Sequence, residues 1–320
     1  MSTRILEPGE IGQVDPFPSF VLPRESDLFA QRSRRFVHLA QGHPMATFLS
    51  AMADLTQAQQ VAFKARGAGP IAPALLQQSR LHGMPPLSYQ TTLRDADWQV
   101  DLAAMVAALT EQPANHWQAA AVALQAMSTH QCDALAEAVL LGADCALPLH
   151  ALLAPVIGAA LQVWWSRQAS TLEDADIGHV GSATVCPICA SRPVASVVEI
   201  SASQASLRYL HCALCSTQWH MVRVTCSSCE ATGGIAYLSL NGAQEVAAPS
   251  RKIAFARAET CDDCHSYLKI FTREKEPLME VYADDLATLA LDLLVDQAGY
   301  LRSGPNLLFS PGVIDEVPAT

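Results

Sequence analysis

Basic residues are scarce in this chain. Lysine and arginine number 20 against 31 aspartates and glutamates, leaving a formal net charge of −11 over 320 residues. Phosphate backbones and anionic lipid surfaces are held by an excess of positive side chains, so this balance argues against a general nucleic-acid binder and against membrane attachment by charge. The segment Met1 to Arg24 lacks a basic start, an apolar run and a small-residue cleavage site. No secretory leader is expected, and the cytoplasm is the expected location. Also missing are a glycine-rich phosphate loop, a helical H-E-x-x-H pair and a Ser-His-Asp arrangement. The expectation is a protein that is not an enzyme.

Apolar residues, by contrast, make up 50% of the chain, enough for two domains and a sizeable core. One stretch, Cys145 to Trp165, carries no charged residue. Its length would suffice to cross a bilayer, but Pro148, His150, Pro155 and Gln162 interrupt it. It reads as a buried core helix at about 149 to 167, with Pro148 closing the preceding loop, and no membrane insertion is expected.

Taken in order, residues 1–24 hold Pro8, Pro16, Pro18 and Pro23 and read as an extended surface arm. Ser26 and Asp27 are expected to cap a helix of about 27 to 41, ended by Gly42. From Pro44 to Lys64, Met45, Phe48, Leu49, Met52, Leu55, Ala58, Ala62 and Phe63 form one helical stripe, with Asp54, Gln57 and Gln60 off it. A short helical piece with Leu75 and Leu76 follows. Further stripes run through Trp98, Leu102, Met105, Val106 and Leu109, then, past Pro113, through Trp117, Ala121, Leu124 and Met127. Ala134 to Leu141 continues as a short helix to Gly142. The N-terminal part is therefore expected to be an all-α bundle of about six or seven helices.

Beyond a polar boundary at Ser170 to Ser182, short β-branched or alternating runs replace the helical spacing, among them Val194 to Ile200, Leu207 to Leu210, Ile253 to Ala258 and Tyr267 to Thr272. Asn241-Gly242 suits a hairpin turn. Tyr282 to Ala298 returns to helical spacing, with Asp284 and Asp285 as a solvated helix start and Gly304 onward as a loose tail. The fold class is α+β, multidomain. The expected divisions are 1–180, an all-α helical domain; 181–225 and 226–275, two small rubredoxin-like or zinc-ribbon β modules; and 276–320, a C-terminal helix and tail.

Eight of the ten cysteines fall in the β half as four CxxC pairs: Cys186/Cys189, Cys212/Cys215, Cys226/Cys229 and Cys261/Cys264. A CxxC turn lets two sulfurs converge on one tetrahedral ion, and a facing turn supplies the other two. Metal, redox and disulfide readings compete. A redox pair needs a thiolate at a helix start, whereas these pairs sit between strands, and a reducing compartment disfavours disulfides. Each half reads CxxC, strands, CxxC, strand, so sequential pairing gives two like units: Cys186, Cys189, Cys212 and Cys215 on one ion, and Cys226, Cys229, Cys261 and Cys264 on the other. An interleaved pairing is the alternative.

Four thiolates close each site against substrate, and both iron and zinc accept such a set. Cys186-Pro187-Ile188-Cys189 looks like a rubredoxin knuckle, which favours iron slightly. Ala190, Ser216, Glu230 and His265 stand where glycine often follows the second cysteine. His211, His220 and His265 are expected beside the cluster or at the surface, and Cys132 and Cys145 are expected to be buried small apolar residues.

Several segments in combination resemble the formate dehydrogenase accessory protein FdhE family. They are Gly42-His43-Pro44, Cys186-Pro-Ile-Cys189, Leu207-Arg-Tyr-Leu-His-Cys212, Trp219-His220, Val224-Thr-Cys226-Ser-Ser-Cys229, Cys261 to Lys269, and Ala283-Asp-Asp-Leu-Ala-Thr-Leu-Ala290. The resemblance implies a helical domain followed by two rubredoxin-like metal modules. It also implies a cytoplasmic role in maturing respiratory formate dehydrogenase by contacting its catalytic subunit. The surface expected to meet that client is formed by the metal modules and their polar loops. A zinc-ribbon nucleic-acid-binding regulator and an iron redox carrier or sensor are the alternatives.

Overall fold

The computed structural model describes residues 17–93, 96–111, 116–142, 150–178, 183–199, 207–240 and 255–310. Expectations for Pro8, Pro16, Pro113, Cys145, Pro148, the Asn241-Gly242 turn and residues past 310 lie outside these. Among the described residues, eight helices precede the main sheet: α1 Leu28–Ala40, α2 Ala46–Ala65, α3 Pro73–His82, α4 Tyr89–Thr92, α5 Trp98–Glu111, α6 Gln118–Gln125, α7 Thr129–Leu141 and α8 His150–Ala169. The apolar stripes dictate their packing. Leu49, Met52, Leu55, Ala58 and Ala62 of α2 are buried together with Trp98, Leu102, Met105 and Leu109 of α5.

Helix ends follow local chemistry, with one exchange of roles. Ser128 and Gln131 form a reciprocal capping box on α7, and Gly142 ends it at φ 63°. At α1, Asp27 occupies the N-cap position, but its carboxylate accepts from Gln31 Nε2 and Arg34 instead of the helix backbone. The first turn is satisfied from α2, where Gln60 Oε1 accepts from Ala30 N at 2.8 Å. Gln60, expected off the stripe, is therefore buried because it does the capping.

The uncharged stretch is a core helix. From Leu153 to Ala169, α8 is buried almost throughout, including Gln162, Ser166 and Arg167, and no helix among the described residues is long and apolar enough to cross a membrane. A helix buried on every face must be surrounded by protein, and its polar side chains find partners there.

The β half is one sheet of eight strands: β1 Phe20–Val21, β2 Pro193–Glu199, β3 Leu207–Cys212, β4 Gln218–His220, β5 Ile235–Leu238, β6 Ala256–Cys261, β7 Ser266–Thr272 and β8 Leu301–Arg302. Its order is β1-β4-β3-β2-β7-β6-β5, with β8 also on β7. Strands β2–β3–β4 and β5–β6–β7 are two antiparallel copies of one plan. A parallel pairing of β2 with β7 joins them, Val197 opposite Phe271. The N-terminal arm is more than a surface strand of chain, since Phe20 pairs with Trp219 and extends the sheet.

Past the sheet, the expected single helix breaks in two, α9 Val281–Ala287 and α10 Leu289–Gln297. The cause is Lys269, whose buried ammonium donates to the carbonyls of Asp285 and Thr288 and to Thr288 Oγ1. Asp284 and Asp285 are fully buried rather than solvated. Arg35 grips Asp284 through two bonds of 2.9 and 2.6 Å, while Asp285 meets Lys269, Arg302 and Asn306. The expected loose tail is also corrected over its described part. Asn306, Leu307 and Leu308 are buried, and Leu307 lies so close to Gly158 that a Cβ there would stand 2.2 Å from its carbonyl oxygen.

Candidate metal centre

The four CxxC segments share one backbone plan. In the first, Cys186 N donates to Ser191 O at 2.9 Å and Ala190 N to Cys186 O at 3.0 Å. The third repeats it, with Cys226 N to Ala231 O at 2.8 Å and Glu230 N to Cys226 O at 3.0 Å. Such a turn throws the residue after the second cysteine into the left-handed region: Ala190 has φ 63°, Ser216 59°, Glu230 63° and His265 52°. These are the four positions where the sequence carries no glycine. Each bears the strain of a side chain there, which costs about 1–2 kcal/mol. In return the turn aims backbone N–H groups at sulfur, Ile188 N at Cys186 Sγ (3.5 Å), Leu214 N at Cys212 Sγ (3.3 Å) and Ser228 N at Cys226 Sγ (3.4 Å).

The sulfurs gather in sequential order. Cys186, Cys189, Cys212 and Cys215 form one group, Cys226, Cys229, Cys261 and Cys264 the other, each with its sulfurs within 4.8 Å of one another. Facing pairs lie at 3.5 Å (Cys186–Cys215), 3.3 Å (Cys189–Cys212), 3.6 Å (Cys226–Cys264) and 3.8 Å (Cys229–Cys261). A disulfide requires about 2.05 Å. A tetrahedral ion with metal–sulfur bonds of about 2.3 Å sets its sulfurs about 3.8 Å apart, so the donor set fits such an ion. Burial pushes the Cys186 and Cys189 thiols well above the ordinary value.

The first group is built into the junction of helices and sheet. Leu87 N and Tyr89 N donate to the carbonyls of Ile188 and Cys189 at 2.8 and 3.0 Å. Trp165 Nε1 donates to Leu87 O, holding that segment from α8. On the other knuckle, Gln162 Nε2 donates to Ala213 O at 2.8 Å, Ser166 and Ser216 hydroxyls meet at 3.1 Å, and Tyr282 Oη donates to Cys212 O. Arg32 lies 3.6 Å over the Tyr282 ring and donates to Gln162 Oε1 and Glu280. Sequence reasoning did not find these supporting residues. Gln162, a polar side chain inside an uncharged run, was the available signal; Arg32 and Tyr282 carried none.

No histidine joins either sulfur group among the described residues. His211 is buried on β3, and desolvation drives its pKa down to about 3, so its ring is neutral. His220 packs 4.5 Å from the Phe17 ring, and His265 is exposed. Cys132 is buried in α7, away from both groups.

A helical domain docked on a sheet that carries two closed four-sulfur groups defines a class, α+β proteins with paired rubredoxin-like or zinc-ribbon modules fitted for tetrahedral ions. The chain belongs to the FdhE family. It matches the FdhE N-terminal domain over residues 17–182, the FdhE central domain over 185–223 and the FdhE C-terminal domain over 224–309. It is 42% identical over 314 residues to the protein FdhE homolog of Pseudomonas aeruginosa, covering 98% of this chain and 99% of that protein. Protein FdhE of Escherichia coli is 36% identical over 318 residues, again covering 98% and 99%. The crystal structure of the FdhE protein from Pseudomonas aeruginosa superposes with a TM-score of 0.82 at 42% identity, covering 92% of this chain and all of that one.

Proposed function

We propose that the protein is a non-catalytic, cytoplasmic accessory factor in the maturation of a respiratory formate dehydrogenase, binding the enzyme's catalytic subunit on a scaffold stabilised by two metal ions. The reading rests on membership of the FdhE family along all three parts of the chain. The chemistry of the sulfur groups supports it. Four cysteines in each group fill a tetrahedral shell and leave no position for water or substrate, which is the pattern of an ion that holds structure. Cys186, Cys189, Cys212 and Cys215 hold the first ion in this reading, and Cys226, Cys229, Cys261 and Cys264 the second. Iron is slightly favoured by the rubredoxin-like Cys186-Pro187-Ile188-Cys189 knuckle, which lacks the glycine that often follows it, and zinc accepts the same sulfurs.

Two measurements test this. The tagged protein, recovered from anaerobic cells, should carry the formate dehydrogenase catalytic subunit with it and contain two ions per chain. Cys186→Ser with Cys189→Ser should lose metal at the first group and, in a strain lacking the wild-type protein, lose formate dehydrogenase activity together with it. Full activity from a folded, metal-free variant would falsify the scaffold reading.

A further inference from the structure

The two sulfur groups differ sharply in their surroundings. Cys186, Cys189, Cys212 and Cys215 all have zero exposure, whereas in the second group Cys229 is exposed and Cys264 half-buried. The first group's knuckles are bonded by Leu87, Tyr89, Gln162, Ser166 and Tyr282, all contributed from outside its own module. The second group sits at the far end of the sheet, next to the edge strand β5, whose residues alternate between half-buried and exposed. Its apolar support is the small cluster of Ala258, Tyr267, Leu291 and Val295, separate from the main core. Glu230, Asp262 and Asp263 stand exposed around it, with Arg192 donating to Ser228 in the same knuckle.

We propose that the second group is an exchanging metal centre, which takes up and gives up a thiophilic cation with the fold intact, while the first is locked until the whole structure opens. The inference rests on the reading of both groups as metal centres. Exchange begins at Cys229. An ion held there would be open to a donor atom from solvent at Cys229 Sγ, and once released that thiolate would be solvated or protonated, with no electron changing hands. At the first group no such approach exists, because every sulfur is covered. An opening there must break the contact between helices and sheet, so it costs what global unfolding costs.

The test uses the full chain loaded with two zinc ions and mixed, in native buffer, with excess 4-(2-pyridylazo)resorcinol. One equivalent of zinc should leave at least about 100-fold faster than the other, since local openings are far more populated than global ones. The slow equivalent should leave with the near-ultraviolet circular dichroism of the tertiary fold. Cys229→Ser should remove the fast phase and leave the slow one. Because that variant could misfold, wild-type protein is also alkylated with iodoacetamide after the fast phase and mapped by mass spectrometry. Label confined to Cys226, Cys229, Cys261 and Cys264 supports the proposal. Two ions leaving at one rate, or label on Cys186, Cys189, Cys212 or Cys215 after the fast phase, overturns it. Folded protein that never holds two zinc ions overturns the metal reading beneath it, a failure distinguishable from the other two.

Discussion

Tyr282 donates its phenol proton to the backbone carbonyl of Cys212, tying helix α9 to the knuckle of the first sulfur group across 70 residues of chain. Its ring is fully buried beneath the Arg32 guanidinium. Tyr282→Phe keeps the packing and removes the bond, so it isolates the tie. The variant should be about 1–3 kcal/mol less stable, because the carbonyl loses its buried partner. Denaturant unfolding followed by tryptophan fluorescence measures it, and a variant as stable as the wild type would show that the tie contributes nothing.

Gly158 lies where α8 meets the C-terminal segment. A Cβ at this position would stand 2.2 Å from Leu307 O and 3.0 Å from Leu307 C. Backbone must move to admit it, so Gly158→Ala should destabilise by about 1–3 kcal/mol. Gly67, with nothing within 4 Å of such an atom, is the control, and Gly67→Ala should leave the melting temperature nearly unchanged.

Asp285 is a buried carboxylate among cations. Burial pushes its pKa up, but Arg302, Lys269 and the Asn306 amide outweigh that and hold it below the ordinary value. The stability it contributes is complete above about pH 3.9, the ordinary aspartate value, and is lost as pH falls through its lower folded value. Asp285→Asn leaves buried Lys269 and half-buried Arg302 with Asp292 as their remaining carboxylate, and should cost about 3 kcal/mol at neutral pH. The gap between variant and wild type should narrow as pH drops below about 3.9, read by denaturant titrations at several pH values. A gap that stays constant to low pH would rule out the linkage.

What the sequence disclosed and what it hid divide by range. The cysteine spacing is local chemistry, so CxxC turns and their gathering into two groups were legible from residues 186–264 alone. The same holds for the stripe of Leu49, Met52 and Leu55. Asp284 and Asp285 were misread because a helix start favours acids in solvent, and nothing nearby in the chain announces Arg35, 249 residues away. The break at Thr288 was hidden for the same reason, since Lys269 enters from β7. Gly304 and Pro305 look like loop punctuation, yet Leu307 finds its place against Gly158 of α8, far back in the chain. The parallel meeting of β2 and β7 is equally nonlocal, and no pattern inside either strand names its partner.

The contact between Gly158 and Leu307 also sets an order of assembly. Chains emerge from the ribosome N-terminus first, so α8 is made long before the segment that covers it. Arg32, Arg35 and Lys269 likewise precede Glu280, Asp284 and Asp285, and stand without these counter-charges until α9 has left the exit tunnel. All four cysteines of the first group are synthesised before α9, so they are available to an ion while the surface around them is still open. The late arrival of Tyr282 and Leu307 then closes the structure, which makes the last part of the chain a lock turned after the rest is made.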